Sequence, residues 1–107
     1  MQFVVIGRDG TDDGALERRM AAREAHLKTG DEYLNSGNFL MATALLDDTG
    51  KMCGSIMLVD FEDRVALDSW LEKEPYVTGD VWKDVEVFQT KIGPSFEEFL
   101  PNKKQAA

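Results

Sequence analysis

The spacing of hydrophobic residues in the first third of the chain predicts a strand followed by a long helix. Residues 2–6 form a short, β-branched apolar run before a glycine turn, which is typical of a buried strand. Apolar positions then recur at spacings near three, four and seven as far as Gly37, a suitable helix C-terminus. Gly30 interrupts this helix. The candidate N-caps of the helix are Thr11, Asp12 and Asp13. Its apolar stripe consists of Leu16, Met20, Leu27, Tyr33 and Leu34.

The rest of the chain predicts a hairpin, a second helix and a final strand. The two hairpin strands and the turn between them span residues 39–46, 52–61 and 47–51. Glu62 and Asp63 open the second helix, and Pro75 ends it because the residue before a proline is disfavoured in the helical region. Residues 82–92 alternate between apolar and polar positions, as in a half-covered strand.

The predicted order of elements is β-α-β-β-α-β, which defines an α+β, ferredoxin-like protomer with a four-stranded antiparallel sheet and both helices on one face. The strands are apolar on both faces, so the second face needs cover, and a second copy of the chain would give a dimeric α+β barrel. We expect one domain over residues 1–92 and a C-terminal tail over residues 93–107. Phe96, Phe99 and Leu100 either anchor this tail on a partner subunit or shield the edge of the chain's own sheet.

Charge and cysteine content narrow the classes of partner. Twenty acidic residues against twelve basic ones give a net charge of −8, which disfavours nucleic acid and anionic membranes as partners. The chain shows no signal peptide or membrane-spanning run, and the single Cys53 suits the reducing cytoplasm as a small buried hydrophobe. One histidine and one cysteine are too few for a zinc site, so no metal is expected.

His26, the single histidine, lies in the middle of the first helix and is the main candidate for proton transfer. Arg23 is three residues away on the same helix face, with Arg19 and Tyr33 near the same line. These groups could line a pocket for an anionic or carbonyl-bearing substrate. The alternative is a solvated helix edge with an ordinary surface histidine.

Glu74 stands at the end of the second helix, where a negative charge is electrostatically unfavourable without a partner. An imidazole would be a suitable partner, and a histidine–carboxylate pair is the arrangement of a general base. The alternative is a helix terminator with its carboxylate in solvent. Gly54 indicates a bulge or close approach in its strand, and Ser55 could orient a substrate oxygen. Met41, Met52 and Met57 are expected in the core.

The order of these motifs resembles the YCII-like (YCII-related domain) family over about residues 1–92. The motifs are Arg23-Glu24-Ala25-His26-Leu27, the strand ending in Leu45-Leu46, Gly54-Ser55 and Glu74-Pro75-Tyr76-Val77. Glu24, Thr43-Ala44-Leu45 and Glu74 stand where the family pattern has proline, Gly-Pro-Leu and aspartate.

The resemblance implies a dimeric α+β barrel, related in shape to muconolactone isomerases, with a histidine–carboxylate pair as its site. It assigns catalytic roles to His26 and Glu74, and substrate contacts to Arg23, Ser55 and Tyr76. One branch of the family is similar to a dehydrochlorinase, so the implied activity is a cofactor-independent elimination or isomerisation of a cyclic or phenolic metabolite. The alternative is a non-enzymatic dimer that binds a small ligand or a protein.

Overall fold

The computed structural model of the protein describes residues 1–100 and contains one four-stranded sheet with its helices on one face. The strands are β1 (Gln2–Asp9), β2 (Phe39–Leu46), β3 (Met52–Asp60) and β4 (Trp82–Thr90). The helices are α1 (Ala15–Ser36), α2 (Arg64–Leu71) and the single turn α3 (Pro75–Thr78), with a final 3₁₀ segment at Pro94–Phe99. None of the helices in this part of the chain has the length and hydropathy needed to span a bilayer.

The sheet has the strand order β2-β3-β1-β4, and every pairing is antiparallel. Val5 of β1 lies opposite Met57 of β3 and Val87 of β4, which fixes the register across the three strands. On the face of the sheet that the helices cover, the buried side chains pack against aromatic and aliphatic residues of α2, including Trp70. This arrangement confirms the predicted α+β ferredoxin-like protomer, the unit from which dimeric α+β barrels are built.

The opposite face of the sheet remains partly open. Phe88 of β4 is half-exposed, and its paired neighbour Val4 is only partly buried. A groove at the β2 side of this face is lined by Leu40, Met41, Leu58, Ile92, Phe96, Phe99 and Leu100. Residues 96–100 therefore lie beside the chain's own sheet, and Phe96 and Phe99 are exposed. Residues 101–107 of the predicted tail lie outside the described residues.

Most of the apolar stripe predicted on α1 does not pack against the core; Tyr33 is its one member that does. Its leucines and methionine are exposed, whereas Arg19 is the buried residue of the helix and Ala22 and Tyr33 pack against the core. The exposed members are Leu16, Met20, Leu27 and Leu34. The reason is that α1 turns a largely polar face toward the sheet, where it covers a site rather than a dry core.

The ends of α1 differ in how well the sequence predicts them. Gly37 ends the helix in the left-handed conformation (φ 87°) and donates its N–H to Leu34, as expected. At the start, the N-cap is Gly14 without a side-chain hydrogen bond, so the predicted capping roles are wrong. Asp12 instead accepts two hydrogen bonds from Arg18, at 2.7 and 2.8 Å.

Pro75 begins a helix rather than ending one, which corrects the predicted environment of Glu74. Helix α2 already ends at Leu71, and Glu74 is the extended N-cap of α3 (ψ 126°) with Pro75 at its first turn. The proline excludes the helical conformation at Glu74 and its fixed φ suits a helix start. The carboxylate therefore lies at a helix N-terminus, where a negative charge is favourable.

Two of the three methionines predicted in the core lie elsewhere. Met57 is buried, but Met41 is exposed and Met52 is only partly buried, as is Cys53. Met41 lies on β2, an edge strand that α1 does not cover completely. Gly54 is tightly packed, as its position in a strand suggested: a Cβ there would lie 2.7 Å from the carbonyl oxygen of Gly7.

Gly7 makes room for Trp82, which forms part of the wall behind His26. A Cβ at position 7 would lie 2.3 Å from the indole ring, so we expect Gly7→Ala to lower the free energy of unfolding by about 1–3 kcal/mol through overpacking. Urea denaturation measures this loss. Gly93→Ala is the control, because its nearest neighbour would lie at an ordinary 3.5 Å; equal effects of the two variants would contradict the steric explanation.

Candidate active site

Glu74 is the buried anchor of the site and has no solvent exposure. One carboxylate oxygen, Oε1, contacts His26 Nδ1 and also accepts the backbone N–H of Tyr76 at 3.4 Å. The other, Oε2, accepts the indole N–H of Trp70 at 3.1 Å. Both oxygens are thus satisfied, which is what a buried carboxylate requires. The methylene that distinguishes glutamate from the aspartate of the family pattern does not prevent contact with the imidazole.

The His26 ring is held in one orientation from two sides. It stacks on Tyr76 with centroids 3.8 Å apart and planes at 11°, and it meets Trp82 edge-on at 6.2 Å. An ionised carboxylate can only accept a hydrogen bond, so we assign the donor role in this contact to Nδ1, which places the lone pair of a neutral ring on Nε2. Among residues 1–100, Nε2 has no hydrogen-bond partner, so it is available to a ligand.

A second buried network lies beside the histidine. Arg19 donates to both oxygens of Asp9, at 2.9 and 3.1 Å, and to the hydroxyl of Ser55 at 3.0 Å. Its guanidinium also lies 4.6 Å from the centre of the Tyr76 ring, within the range of a cation–π contact. Arg19 Nε has no hydrogen-bond partner within the described part of the chain. The arginine thus connects the end of β1, the middle of β3 and the ring that supports His26.

Burial changes the proton affinity of two acids in this network. The pKa of Asp9 is raised because desolvation disfavours its charged form, although the Arg19 charge acts in the opposite direction. Desolvation likewise raises the pKa of Tyr76, so its phenol remains protonated at neutral pH. The site therefore offers a neutral phenol and a paired arginine beside the imidazole.

These groups line an open cleft of about 140 Å³ between α1 and the β2–β3 hairpin. Of the five residues predicted from the sequence, four line the cleft: Arg23, His26, Ser55 and Tyr76. Glu74 lies behind His26, away from the cleft. Arg23 is exposed at the cleft, whereas Ser55 and Tyr76 are buried in its wall. Glu74 therefore acts on a ligand only indirectly, through its contact with His26.

Three residues of the site were not among those predicted: Asp9, Trp70 and, as a buried group, Arg19. Arg19 lies seven residues before His26, two helical turns away, so its position on the same face was visible in the sequence. Asp9 stands at the end of β1, in a stretch that the sequence predicts as a turn. In the described residues, no group of three or more His, Cys, Asp or Glu could hold a metal ion.

Comparisons with known proteins agree with this fold and place the chain in a family. Residues 1–91 match the YCII-related domain. Protein YciI of Escherichia coli O6:H1 is 30% identical over 93 residues, which cover 81% of this chain and 93% of that protein.

Two solved structures share the fold at lower identity. One is 5-chloro-2-hydroxyhydroquinone dehydrochlorinase from Burkholderia phenoliruptrix AC1100 in complex with 2,5-dihydroxybenzoquinone, with a TM-score of 0.76 at 21% identity over 89% of this chain and 98% of that chain. The other is an antibiotic biosynthesis monooxygenase, with a TM-score of 0.52 at 20% identity over 88% and 100%. The match over residues 1–91, together with the identity to protein YciI, shows that this chain belongs to the YCII-related domain family.

Proposed function

We propose that the protein is a cofactor-independent acid–base enzyme that acts on a small cyclic or phenolic, carbonyl-bearing molecule. The observation that carries this proposal is the buried Glu74 carboxylate on Nδ1 of His26, a residue that lines the cleft and whose Nε2 has no protein partner among the described residues. A carboxylate that fixes the tautomer and supports the imidazolium is the arrangement used in general acid–base catalysis.

His26 acts first as a base in this proposal. Nε2 takes a proton from a carbon next to the substrate carbonyl, and the electron pair of the broken C–H bond forms an enolate. In an elimination, this pair then forms a C=C bond while a leaving group such as chloride departs with its own bonding pair. In an isomerisation, His26 returns the proton to a different carbon. Neither sequence needs an oxidant or reductant.

The charge that develops on the substrate oxygen meets the polar end of the cleft. Arg23 is exposed there, and the Ser55 hydroxyl and the Arg19 guanidinium line its wall. Donors held in place before the reaction stabilise a developing oxyanion without having to reorganise. Tyr76, a neutral phenol buried in the cleft wall, stacks on His26 and limits the motion of the imidazole ring.

We also propose that two copies of the chain cover the open face of each other's sheets as a homodimer, and that the protein works in the cytoplasm. The partly exposed apolar side chains on that face, such as Val4 and Phe88, support the first point. The single cysteine is consistent with the second.

Solvent deuterium exchange tests the proposed chemistry without requiring the natural substrate. The protein is incubated in D₂O with chlorinated hydroxyquinols and with cyclic β-keto acids, and deuterium incorporation and chloride release are followed. We expect protein-dependent deuterium incorporation at the carbon next to the carbonyl of the β-keto acids and protein-dependent chloride release from the hydroxyquinols, each at least tenfold above the rate without protein, because general base catalysis typically contributes about 10²–10⁴-fold. The dehydrochlorinase with this fold suggests the first substrate class.

Binding without exchange or chloride release would contradict the enzyme proposal and favour the alternative, a dimer that only binds small ligands. NMR chemical-shift changes of the His26 ring on ligand addition distinguish these two outcomes. A ligand that shifts the ring signals but incorporates no deuterium is bound at the site and is not turned over.

A further inference from the structure

The cleft has a second lobe that the proposed chemistry does not use. This lobe, of about 180 Å³, continues from His26 along α1 toward Leu34 and passes over Phe39 at the start of β2. It shares one wall with the polar lobe, formed by His26, Leu27, Ala42 and Met57. The two lobes are therefore neighbours along α1, and His26 lines both of them.

The second lobe differs from the first in chemistry. The first contains two arginines and a serine, whereas the second is lined mainly by apolar groups, with Leu34 and Met41 half or more exposed. Asp31, which is exposed, is the charged residue of its lining. Exposed apolar side chains that converge on a groove beside a polar site are typical of a ligand-binding surface.

Gly30 borders a part of this lobe that no other protein atom fills. A glycine inside a helix costs about 1 kcal/mol relative to alanine, and close packing is the usual reason to retain one. Here a Cβ would meet no atom within 4 Å. Gly30 lines the apolar lobe, so its missing side chain widens the cleft rather than admitting a neighbouring element.

We infer that the second lobe binds an apolar substituent, an alkyl chain or a second ring, of the same ligand whose anionic or carbonyl end lies at Arg23 and Ser55. This inference rests on the proposed function for the placement of the polar end. The ligand class is thus an amphipathic aromatic or cyclic acid rather than a single polar ring. An anionic group at the far end is disfavoured by Asp31.

A chain-length series of ligands tests the lobe by equilibrium binding. Dissociation constants of benzoate, 4-propylbenzoate and 4-pentylbenzoate for the full-length protein are measured by NMR titration. Since each buried methylene contributes roughly fourfold in affinity, we expect 4-pentylbenzoate to bind at least about tenfold more tightly than benzoate. The signals of Gly30 and Leu34 are expected to shift only with the alkylated ligands.

Two variants locate the effect. Gly30→Leu fills the lobe and Leu34→Glu places a charge in it, and each is expected to abolish the gain from the alkyl chain while benzoate affinity changes less than twofold. Because Leu34 is half-exposed, Leu34→Glu keeps the test decisive if Gly30→Leu does not fold. Lys28→Leu is the matched control: it adds the same side chain on α1 outside both lobes.

Affinities that do not depend on chain length, or wild-type protein that binds none of the three acids, would overturn the inference. An effect of Lys28→Leu equal to that of Gly30→Leu would do the same. The assay does not involve turnover, so its result is independent of the exchange experiment. A chain-length effect without deuterium exchange would retain the lobe and reject the chemistry, and the reverse result would reject the lobe alone.

Discussion

Replacing His26 with glutamine is expected to lower the rate of proton exchange or turnover about 10²–10⁴-fold while the protein remains folded. Glutamine preserves a polar side chain that can still donate a hydrogen bond to Glu74, but it supplies no base of suitable strength at neutral pH. His26 is only slightly exposed and packs against Tyr76, so near-ultraviolet circular dichroism is measured on the same samples to check the tertiary structure.

Glu74→Asp tests the position of the carboxylate while His26, the proposed base, stays in place. The shorter carboxylate would move away from Nδ1 by about 1 Å, and a displacement of that size can cost up to about 10²-fold in rate. We expect Glu74→Asp to fall between the wild type and His26→Gln, with a larger effect on kcat than on KM. Turnover by folded His26→Gln at the wild-type rate would rule out His26 as the proton-transfer group.

Exposed Lys28 provides a control on the same helix. Lys28→Gln also replaces a nitrogen-bearing side chain with glutamine, two residues after His26 and outside both lobes of the cleft. We expect its activity to remain within about twofold of the wild type, since surface substitutions away from a site usually change the free energy of unfolding by no more than about 0.5 kcal/mol. A large loss in this variant would point to a general effect on α1 rather than to loss of the base.

The contact between His26 and Glu74 shows how far sequence reasoning reaches at this site. The two residues are 48 positions apart, and no periodicity connects them. A carboxylate without a local partner and the order of motifs predict their pairing, and both are visible in the sequence. The helix end predicted for this carboxylate is nevertheless wrong, because Glu74 caps the start of α3 rather than the end of α2. A proline allows both interpretations, and the structure has Pro75 as the first residue of α3.

Helix α1 marks the limit of prediction from hydrophobic periodicity. The rule that the apolar stripe faces the core fails here because the helix covers the cleft, and the residues that face the sheet include Arg19 and His26. The apolar positions Leu27 and Leu34 instead lie at the cleft and remain exposed. A buried arginine is recognisable only together with its partner, and Asp9 comes from a strand end that local sequence signals place in a turn.

Arg19→Met is expected to lower the free energy of unfolding by about 3–5 kcal/mol at pH 7, because it leaves Asp9 as a buried carboxylate without its counter-charge. Both side chains of the pair are only 3% exposed. Methionine fills a similar volume, so the loss reflects charge rather than a cavity. Urea denaturation across pH measures the effect, which is a large fraction of the roughly 5–15 kcal/mol typical of a domain.

The pH dependence of the stability lost in Arg19→Met identifies the cause of that loss. Burial raises the pKa of Asp9 above its usual 3.8, so protonation of Asp9 favours the folded state. The stabilisation that protonated Asp9 provides is fully present at pH values below its usual pKa. It is lost as the pH rises through the raised pKa of the folded state. Removing Arg19 raises that pKa further. The deficit of Arg19→Met is therefore expected to be largest near neutral pH and to shrink as the pH falls toward 4.

Two further variants decide between a charge effect and a packing effect. Adding Asp9→Asn to Arg19→Met removes the unpaired carboxylate, so we expect this double variant to recover at least half of the lost stability at pH 7 and to lose the extra pH dependence. Arg18→Met is the neighbouring control and should change stability little, since its partner Asp12 lies at the surface. A deficit of Arg19→Met that stays constant with pH and is not reduced by Asp9→Asn would show that Arg19 acts through packing against Tyr76.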